Sequence, residues 1–81
     1  MKNQETQKTS IELFVIDMVR ELRNKSNISQ ADLAFSLGVS PGFIGKVESI
    51  NSSSKYNLNH INKLSEIFNC SPKVFLPNKK L

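Results

Sequence analysis

The chain has 81 residues, of which 38% are hydrophobic, and eleven Lys and Arg against seven Asp and Glu give a formal net charge of +4. This length supports one small core, and the composition fits a compact helical domain rather than a disordered chain. The positive charge favours a polyanionic partner but is too small to identify one, and no apolar run approaches the roughly 20 residues that span a bilayer.

The first ten residues lack the apolar core of a signal peptide, so we expect a cytoplasmic protein that makes no membrane contact. Residues 1–8 are polar and without a period, which predicts a flexible N-terminal arm. We expect one folded domain over residues 9–77 and a flexible tail over residues 78–81.

Residues that could carry chemistry are few. Cys70 is the only cysteine and His60 the only histidine, so no intramolecular disulfide can form. A metal site needs converging ligands and a catalytic base needs a nucleophile, and neither residue has such neighbours at a readable spacing. We therefore predict no enzyme, no cofactor and no metal, with Cys70 as a buried small side chain and His60 as a surface residue at a helix start.

The first predicted helix begins at a capping box formed by Thr9 and Glu12 and runs to about Asn24. Its apolar stripe, which we expect to face the core, consists of Ile11, Val15, Met18, Val19 and Leu22.

A second and a third helix follow, joined by a turn. Ser29 can cap a helix that extends to Leu37, and Gly38 supplies the left-handed conformation that a sharp reversal needs. Ser40 is the predicted N-cap of the third helix, and Pro41 suits its first position because no N–H is required there.

The remaining elements are also helical. After a loop over residues 51–56, Asn57 can cap a fourth helix that ends at Asn69, and Asn27 can close the connection after the first helix in the left-handed conformation. Residues 71–76 predict one more short helical piece. The sequence therefore predicts an all-α domain of five helices and no strand.

Several segments, in this order, resemble the phage-repressor and Cro type of helix-turn-helix domain, also called lambda-repressor-like, over roughly residues 15–76. The segments that carry the resemblance are Val19–Arg23, Ser29-Gln30, Leu37–Ser40, Ile44, Val47-Glu48 and Leu64–Ser71. The resemblance implies a small transcription regulator that binds double-stranded DNA as a homodimer, with a recognition helix over residues 40–50 in the major groove. It also implies that Gln30 grips a phosphate and that Arg23 and Glu48 form a structural ion pair.

Other candidate DNA contacts follow from the ends of the two central helices. Helix N-termini present unpaired N–H groups, so Ser29, Gln30 and Ser40 are placed to hold phosphates, although each serine can also be a plain N-cap. Lys46 lies away from the core side of the third helix. It can reach a guanine edge or a phosphate, or remain a solvated surface lysine.

The positions at which members of this family usually touch base edges are Pro41, Gly42 and Gly45, and none has a polar side chain. The two glycines weaken the helix by about 1 kcal/mol each. One interpretation is that the bare backbone approaches the groove closely and leaves sequence choice to DNA shape and neighbouring side chains; the other is that base readout is weak. The neighbouring candidates are Phe43, Lys46, Ser49 and Asn51.

Three further aromatic or basic residues are candidate DNA contacts. Phe43 is either a thymine-methyl contact or an aromatic residue at the edge of the core. Lys55 and Tyr56, in the loop before the fourth helix, can contact the DNA backbone, with the tyrosine hydroxyl as a donor. We assign no role to Arg20, Lys25 and Lys63.

Leu13 and Ile16 fall on the far side of the first helix from the predicted stripe. Such a patch predicts either a cover formed by the C-terminal residues or a second subunit, and we expect a homodimer. The alternative function is an antitoxin-like or adaptor protein that acts mainly through protein–protein binding.

Overall fold

The computed structural model describes residues 8–81, which form four α-helices and one 3-10 helix and no strand. The predicted arm over residues 1–8 lies outside this described part except for Lys8, whose side chain is buried. The elements in chain order are α1 (Ser10–Lys25), α2 (Gln30–Leu37), α3 (Phe43–Glu48), α4 (Leu58–Ile67) and the 3-10 helix (Pro72–Phe75).

The prediction of five helices was wrong in its last element. Pro72 opens this segment and Ser71 caps it by accepting a hydrogen bond from the Lys73 amide at 3.2 Å, as for a helix start. The segment then stops after four residues, because Leu76 is extended and Pro77 follows it. A single 3-10 turn results, so the described chain has four α-helices.

The predicted helix starts are confirmed for three helices. Thr9 and Glu12 form both bonds of the capping box of α1, and the Ser29 hydroxyl accepts from the Asp32 amide at 3.0 Å. Asn57 caps α4, and His60 completes a second capping box there. These side chains satisfy amides that a helix start leaves unpaired.

The predicted left-handed positions, Asn27 and Gly38, are confirmed by φ angles of 61° and 80°. Asn69, which was predicted only to end the fourth helix, is also left-handed, with a φ of 53°. At Gly38 the chain reverses directly after α2, and the Gly38 amide donates to the Ala34 carbonyl at 2.9 Å. A residue with a Cβ atom is strained in this conformation, whereas glycine is not.

The core lies where α1, α2, α3 and α4 meet, and the 3-10 helix closes one end with a fully buried Phe75. Four of the five residues of the predicted α1 stripe face the core, since Val15 and Val19 are buried and Met18 and Leu22 pack against it. The prediction was wrong for Ile11, which is 44% exposed, and for Ile16, which is 2% exposed. Val15, Ile16 and Val19 form the buried face, because these positions recur at three and four residues through the middle of the helix. Ile16 is therefore not part of an outer patch.

No helix within residues 8–81 combines the length and the apolar character that a bilayer crossing requires.

Candidate nucleic-acid interface

α2 and α3 pack against each other through side chains that are fully or nearly fully buried, namely Leu33, Ala34, Ile44 and Val47. The left-handed Gly38 lets the chain turn between them, and the Val39 side chain packs against the core at the corner. The two helices therefore form one helix-turn-helix unit, and the side of α3 that carries Lys46 faces outward.

The third helix is shorter than predicted. It spans Phe43–Glu48, and its N-cap is Gly42, which makes no side-chain cap bond. Ser40 instead begins a turn in which its carbonyl accepts from the Phe43 amide at 3.0 Å. The turn takes up Pro41 and Gly42, so the prediction of a helix over residues 40–50 capped by Ser40 was wrong.

Most of the predicted DNA contacts lie on the surface of this unit. Gly45 and Ser49 are half-buried. Lys46 is exposed and stands one turn after Gly42, on the side of α3 opposite Ile44 and Val47. The remaining exposed candidates in this unit are Ser29, Gln30, Ser40, Pro41 and Gly42.

Gln30, the first residue of α2, extends over α3. Its side-chain Nε2 donates to Glu48 Oε1 at 2.9 Å, and a Cβ atom placed on Gly45 would lie 3.4 Å from Gln30 Oε1. The glycine thus gives the glutamine room to lie across the helix. An amide nitrogen carries two hydrogens, so the bond to Glu48 leaves one N–H for another acceptor.

Glu48 is also the partner of Arg23, as the family resemblance implies. The guanidinium donates from Nε to Oε2 at 3.0 Å and from Nη2 to Oε1 at 2.9 Å, a bidentate arrangement. The side chains of Arg23 and Glu48 are only 12% and 7% exposed. A further bond from Arg23 to the Ile28 carbonyl, at 3.0 Å, fixes the connection before α2.

Arg20 has a role that the sequence analysis missed. It pairs with Asp17 at 3.2 Å, donates to the Glu48 carbonyl at 3.2 Å and approaches the Glu48 carboxylate at 3.7 Å. Its position three residues before Arg23, on the same face of α1, is a signal from which the contact with Glu48 could have been inferred.

Lys8 is the second residue that the sequence analysis missed. Its ammonium group donates to the Val47 carbonyl at 2.7 Å, to the Ser49 carbonyl, and at 3.5 Å to the Lys46 carbonyl. Burial, together with the nearby Arg20 guanidinium, lowers the pKa of Lys8. No local pattern indicates this contact, because about 40 residues separate Lys8 from these carbonyls.

Phe43 lies at the edge of the core in an aromatic cluster with Tyr56 and His60. The Phe43 ring centroid is 5.2 Å from that of His60 and 6.3 Å from that of Tyr56. His60 Nδ1 accepts from the Asn57 amide at 3.0 Å, and burial lowers the pKa of His60. The side chain of His60 is thus half-buried between the cap and the ring of Phe43.

Tyr56 does not have the surface position predicted for a DNA contact. It is 9% exposed, and its hydroxyl has no hydrogen-bond partner among residues 8–81. Burial and the nearby Glu48 carboxylate raise the pKa of the phenol. The side chain continues the apolar core from α4 towards α3, which explains why a loop aromatic is buried.

Lys55 is 46% exposed, and its Nζ pairs with Glu12 Oε2 at 3.0 Å. This ion pair holds the loop against the start of α1, and it gives the lysine an anionic partner. In the part of the chain that the structure describes, no three His, Cys, Asp or Glu side chains group as metal ligands would.

The model of the helix-turn-helix family, of the lambda-repressor-like type, matches residues 19–75. No curated protein matches the chain. The restriction-modification controller protein C.AhdI from Aeromonas hydrophila is similar in structure, with a TM-score of 0.65 and 28% sequence identity over 78% of this chain and 92% of that one.

Two further structures share the fold at lower identity. The hypothetical transcription factor NHTF from Neisseria has a TM-score of 0.71 at 17% identity, over 95% of this chain and 86% of its own. The hydroxypropylphosphonic acid epoxidase from S. wedmorenis has a TM-score of 0.71 at 16% identity, but the match covers only 36% of that enzyme. This likeness concerns the fold alone.

Proposed function

This chain belongs to the lambda-repressor-like helix-turn-helix family, and we propose that it is a transcription regulator that prefers certain double-stranded DNA sequences and places α3 in the major groove. The likeness to a controller protein, at 28% identity over most of both chains, supports a regulator rather than an enzyme. The proposal assigns the chain no catalytic step, cofactor or metal.

The observation that carries the proposal is the placement of Gln30. Its side chain crosses α3 between Gly45 and Glu48, and one amide hydrogen remains available next to the N-terminus of α2. Phosphate oxygens accept such bonds, and the unpaired amides of a helix start strengthen the site. Gln30 and Ser29 are thus the proposed phosphate contacts.

Sequence preference is assigned to the outward side of α3. Lys46 is exposed there and is the proposed contact to a guanine edge, with Ser49 at the end of the helix. Ser40, Pro41, Gly42 and Gly45 add little side-chain bulk, so the proposed role of this stretch is close approach of the backbone to the groove. Phe43 touches the aromatic cluster and supports α3 from the core edge.

Lys55 and Tyr56 are left out of the proposed interface. The phenol hydroxyl is buried, and the ammonium group of the lysine is paired with Glu12. The buried hydroxyl is not accessible to a phosphate, and a phosphate contact by Lys55 would share its ammonium group with Glu12.

The test is a salt series on duplex binding after selection of bound sequences from a random pool. We expect affinity that falls steeply with salt and a preference of a thousandfold or more over random duplex. Gln30→Ala should weaken all duplexes alike, whereas Lys46→Ala should relax the preference at one position. Asn62→Ala, at an exposed position of α4, is the matched control. Equal affinity for selected and random duplex would contradict the proposal.

We also propose that the protein acts as a homodimer. Leu58 is 85% exposed at the rim of a groove of about 430 Å³, which is lined by apolar side chains that include Ile11, Ile61 and Leu76. A two-fold pair can insert each Leu58 into the groove of the other copy, since an isologous contact uses the same surface twice. Light scattering should give twice the chain mass, and Leu58→Lys should give the monomer; a monomer at high concentration would contradict the dimer.

The second candidate function is binding of another protein, as an antitoxin-like or adaptor protein. The observation in its favour is Phe35, which is 87% exposed on α2. Phe35→Ser separates the two functions, because a DNA-binding regulator should retain its duplex affinity.

A further inference from the structure

α3 has few interactions of its own that keep it helical. It has six residues, its N-cap Gly42 supplies no side-chain bond, and Gly45 lies within it. A helix of this length is unstable alone, and an interior glycine costs about 1 kcal/mol relative to alanine. Contacts from outside α3 must therefore fix its conformation.

Such contacts are concentrated at the C-terminal end of α3. Lys8 donates to the carbonyls of Lys46, Val47 and Ser49, and Arg20 donates to the carbonyl of Glu48. Four successive carbonyls thus receive bonds from two cations. A helix end leaves its last carbonyls without partners and carries a partial negative charge, so cationic donors stabilise it on both counts.

Lys8 is poorly placed to touch DNA itself. Lys8 is 7% exposed, and its ammonium group is directed at backbone oxygens at the C-terminal end of α3. Loss of the side chain would leave the Val47 carbonyl without this bond in a buried setting, which is costly. The end of α3 and the following Ser49 would then lose their fixed position.

We propose that Lys8 is a positioning residue for the recognition helix, so that DNA preference depends on a side chain outside the interface. This inference rests on the proposed function of α3. The lysine, which lies directly before α1, joins the start of the domain to the helix end that presents Ser49.

The test compares Lys8→Met, which keeps a side chain of similar length but removes its charge, with Lys8→Arg, which keeps the charge. Lys63→Met loses the same charge at an exposed position of α4 and is the matched control. Each variant is measured at a temperature where circular dichroism shows it folded. The two readouts are amide hydrogen exchange at Lys46 and Ser49, and affinity for selected and random duplexes over a salt series.

For Lys8→Met we expect exchange at the Lys46 and Ser49 amides to rise about tenfold or more, while exchange in α4 is unchanged. Affinity for the selected duplex should fall about tenfold, and that for random duplex and the salt slope should stay the same. Lys8→Arg should give the exchange rates and the duplex affinities of the unmodified protein, and so should Lys63→Met. If Lys8→Met does not fold, Lys8→Gln, which keeps a hydrogen-bond donor, replaces it. In that variant, exchange at Lys46 and Ser49 should rise and affinity for the selected duplex should fall, each by a smaller factor.

Three results would overturn the inference. Unchanged exchange and unchanged preference in Lys8→Met would show that α3 needs no such support. Equal loss for both duplexes with a salt slope smaller by about 0.9 would indicate a direct phosphate contact. Absence of duplex binding by the unmodified protein would overturn the proposed function, and the inference with it.

Discussion

The side-chain amide of Gln30 donates to the carboxylate of Glu48 at 2.9 Å, although 18 residues separate them in the chain. The same carboxylate receives two bonds from Arg23. One buried anion therefore links α1, α2 and α3. The orientation of Gln30 relative to α3 depends on this shared acceptor.

Substitution Arg23→Ala should destabilise the fold by about 3 kcal/mol, because it leaves a largely buried carboxylate without its bidentate partner. Arg20 and Gln30 still contact Glu48, which keeps the loss at the low end of the range for such pairs. Thermal melting measures the effect. Lys25→Ala, at an exposed position of the same helix, is the control, and an equal melting temperature for the two variants would contradict the role of the pair.

Gly45→Ala should separate stability from binding. Alanine raises helix propensity by about 1 kcal/mol, and its Cβ would meet Gln30 Oε1 at 3.4 Å, which the flexible side chain can accommodate. We expect a more stable protein with weaker DNA binding, because the methyl group stands between Gln30 and the groove-facing backbone.

The control for this variant is Gly42→Ala, whose Cβ would have no neighbour within 4 Å and which lies at the N-cap, not within the helix. It should give no gain in stability. Undiminished DNA affinity in a stabilised Gly45→Ala protein would show that close approach at this position is not required.

Tyr56→Phe should raise the free energy of unfolding by about 1 kcal/mol, because it removes a buried hydroxyl that has no partner in the described chain. The ring contacts with Phe43 and His60 remain. Denaturant unfolding measures the change, and duplex affinity should stay the same. A loss of affinity without a loss of stability would restore the tyrosine as a DNA contact.

The stability should fall as the pH is lowered below about 6.5, the usual pKa of histidine, because burial lowers the pKa of His60 in the folded state. The unfolded chain then binds the proton more readily, and the protonated ring cannot accept from the Asn57 amide. The loss develops from pH 6.5 downward and is complete below the folded-state pKa.

His60→Gln keeps an acceptor in the capping box but does not titrate, so its stability should change less between pH 7 and pH 5. Glu12 does not confuse the comparison: its capping bond with the Thr9 amide and its contact with Lys55 lower its pKa below the usual 4.5. Parallel curves for the two proteins would exclude His60 as the source.

Much of the fold could be predicted because its signals are local. The caps at Thr9, Ser29 and Asn57 satisfy amides within three residues, and the left-handed angles at Asn27 and Gly38 require residue types that are visible in the sequence. The Arg23–Glu48 pair is different, since the family resemblance supplied it.

The errors arose where local and long-range interactions compete. Ser40 and Pro41 are good residues for a helix start, yet the chain uses them in a turn and starts α3 at Phe43. Tyr56 sits in a polar loop but fills the core, which tertiary packing decides. The bonds of Lys8 span about 40 residues and leave no periodic trace.

The polar contacts that hold the C-terminal end of α3 are made to backbone acceptors, the carbonyls of residues 46–49, and to the single carboxylate of Glu48. Every amino acid has a backbone carbonyl, so substitutions at the exposed positions Gly42 and Lys46 leave these contacts intact. Under the proposed function, the positions that face DNA are thereby separate from the groups that hold α3, so a few outward substitutions would change the preferred duplex and leave the fold as it is.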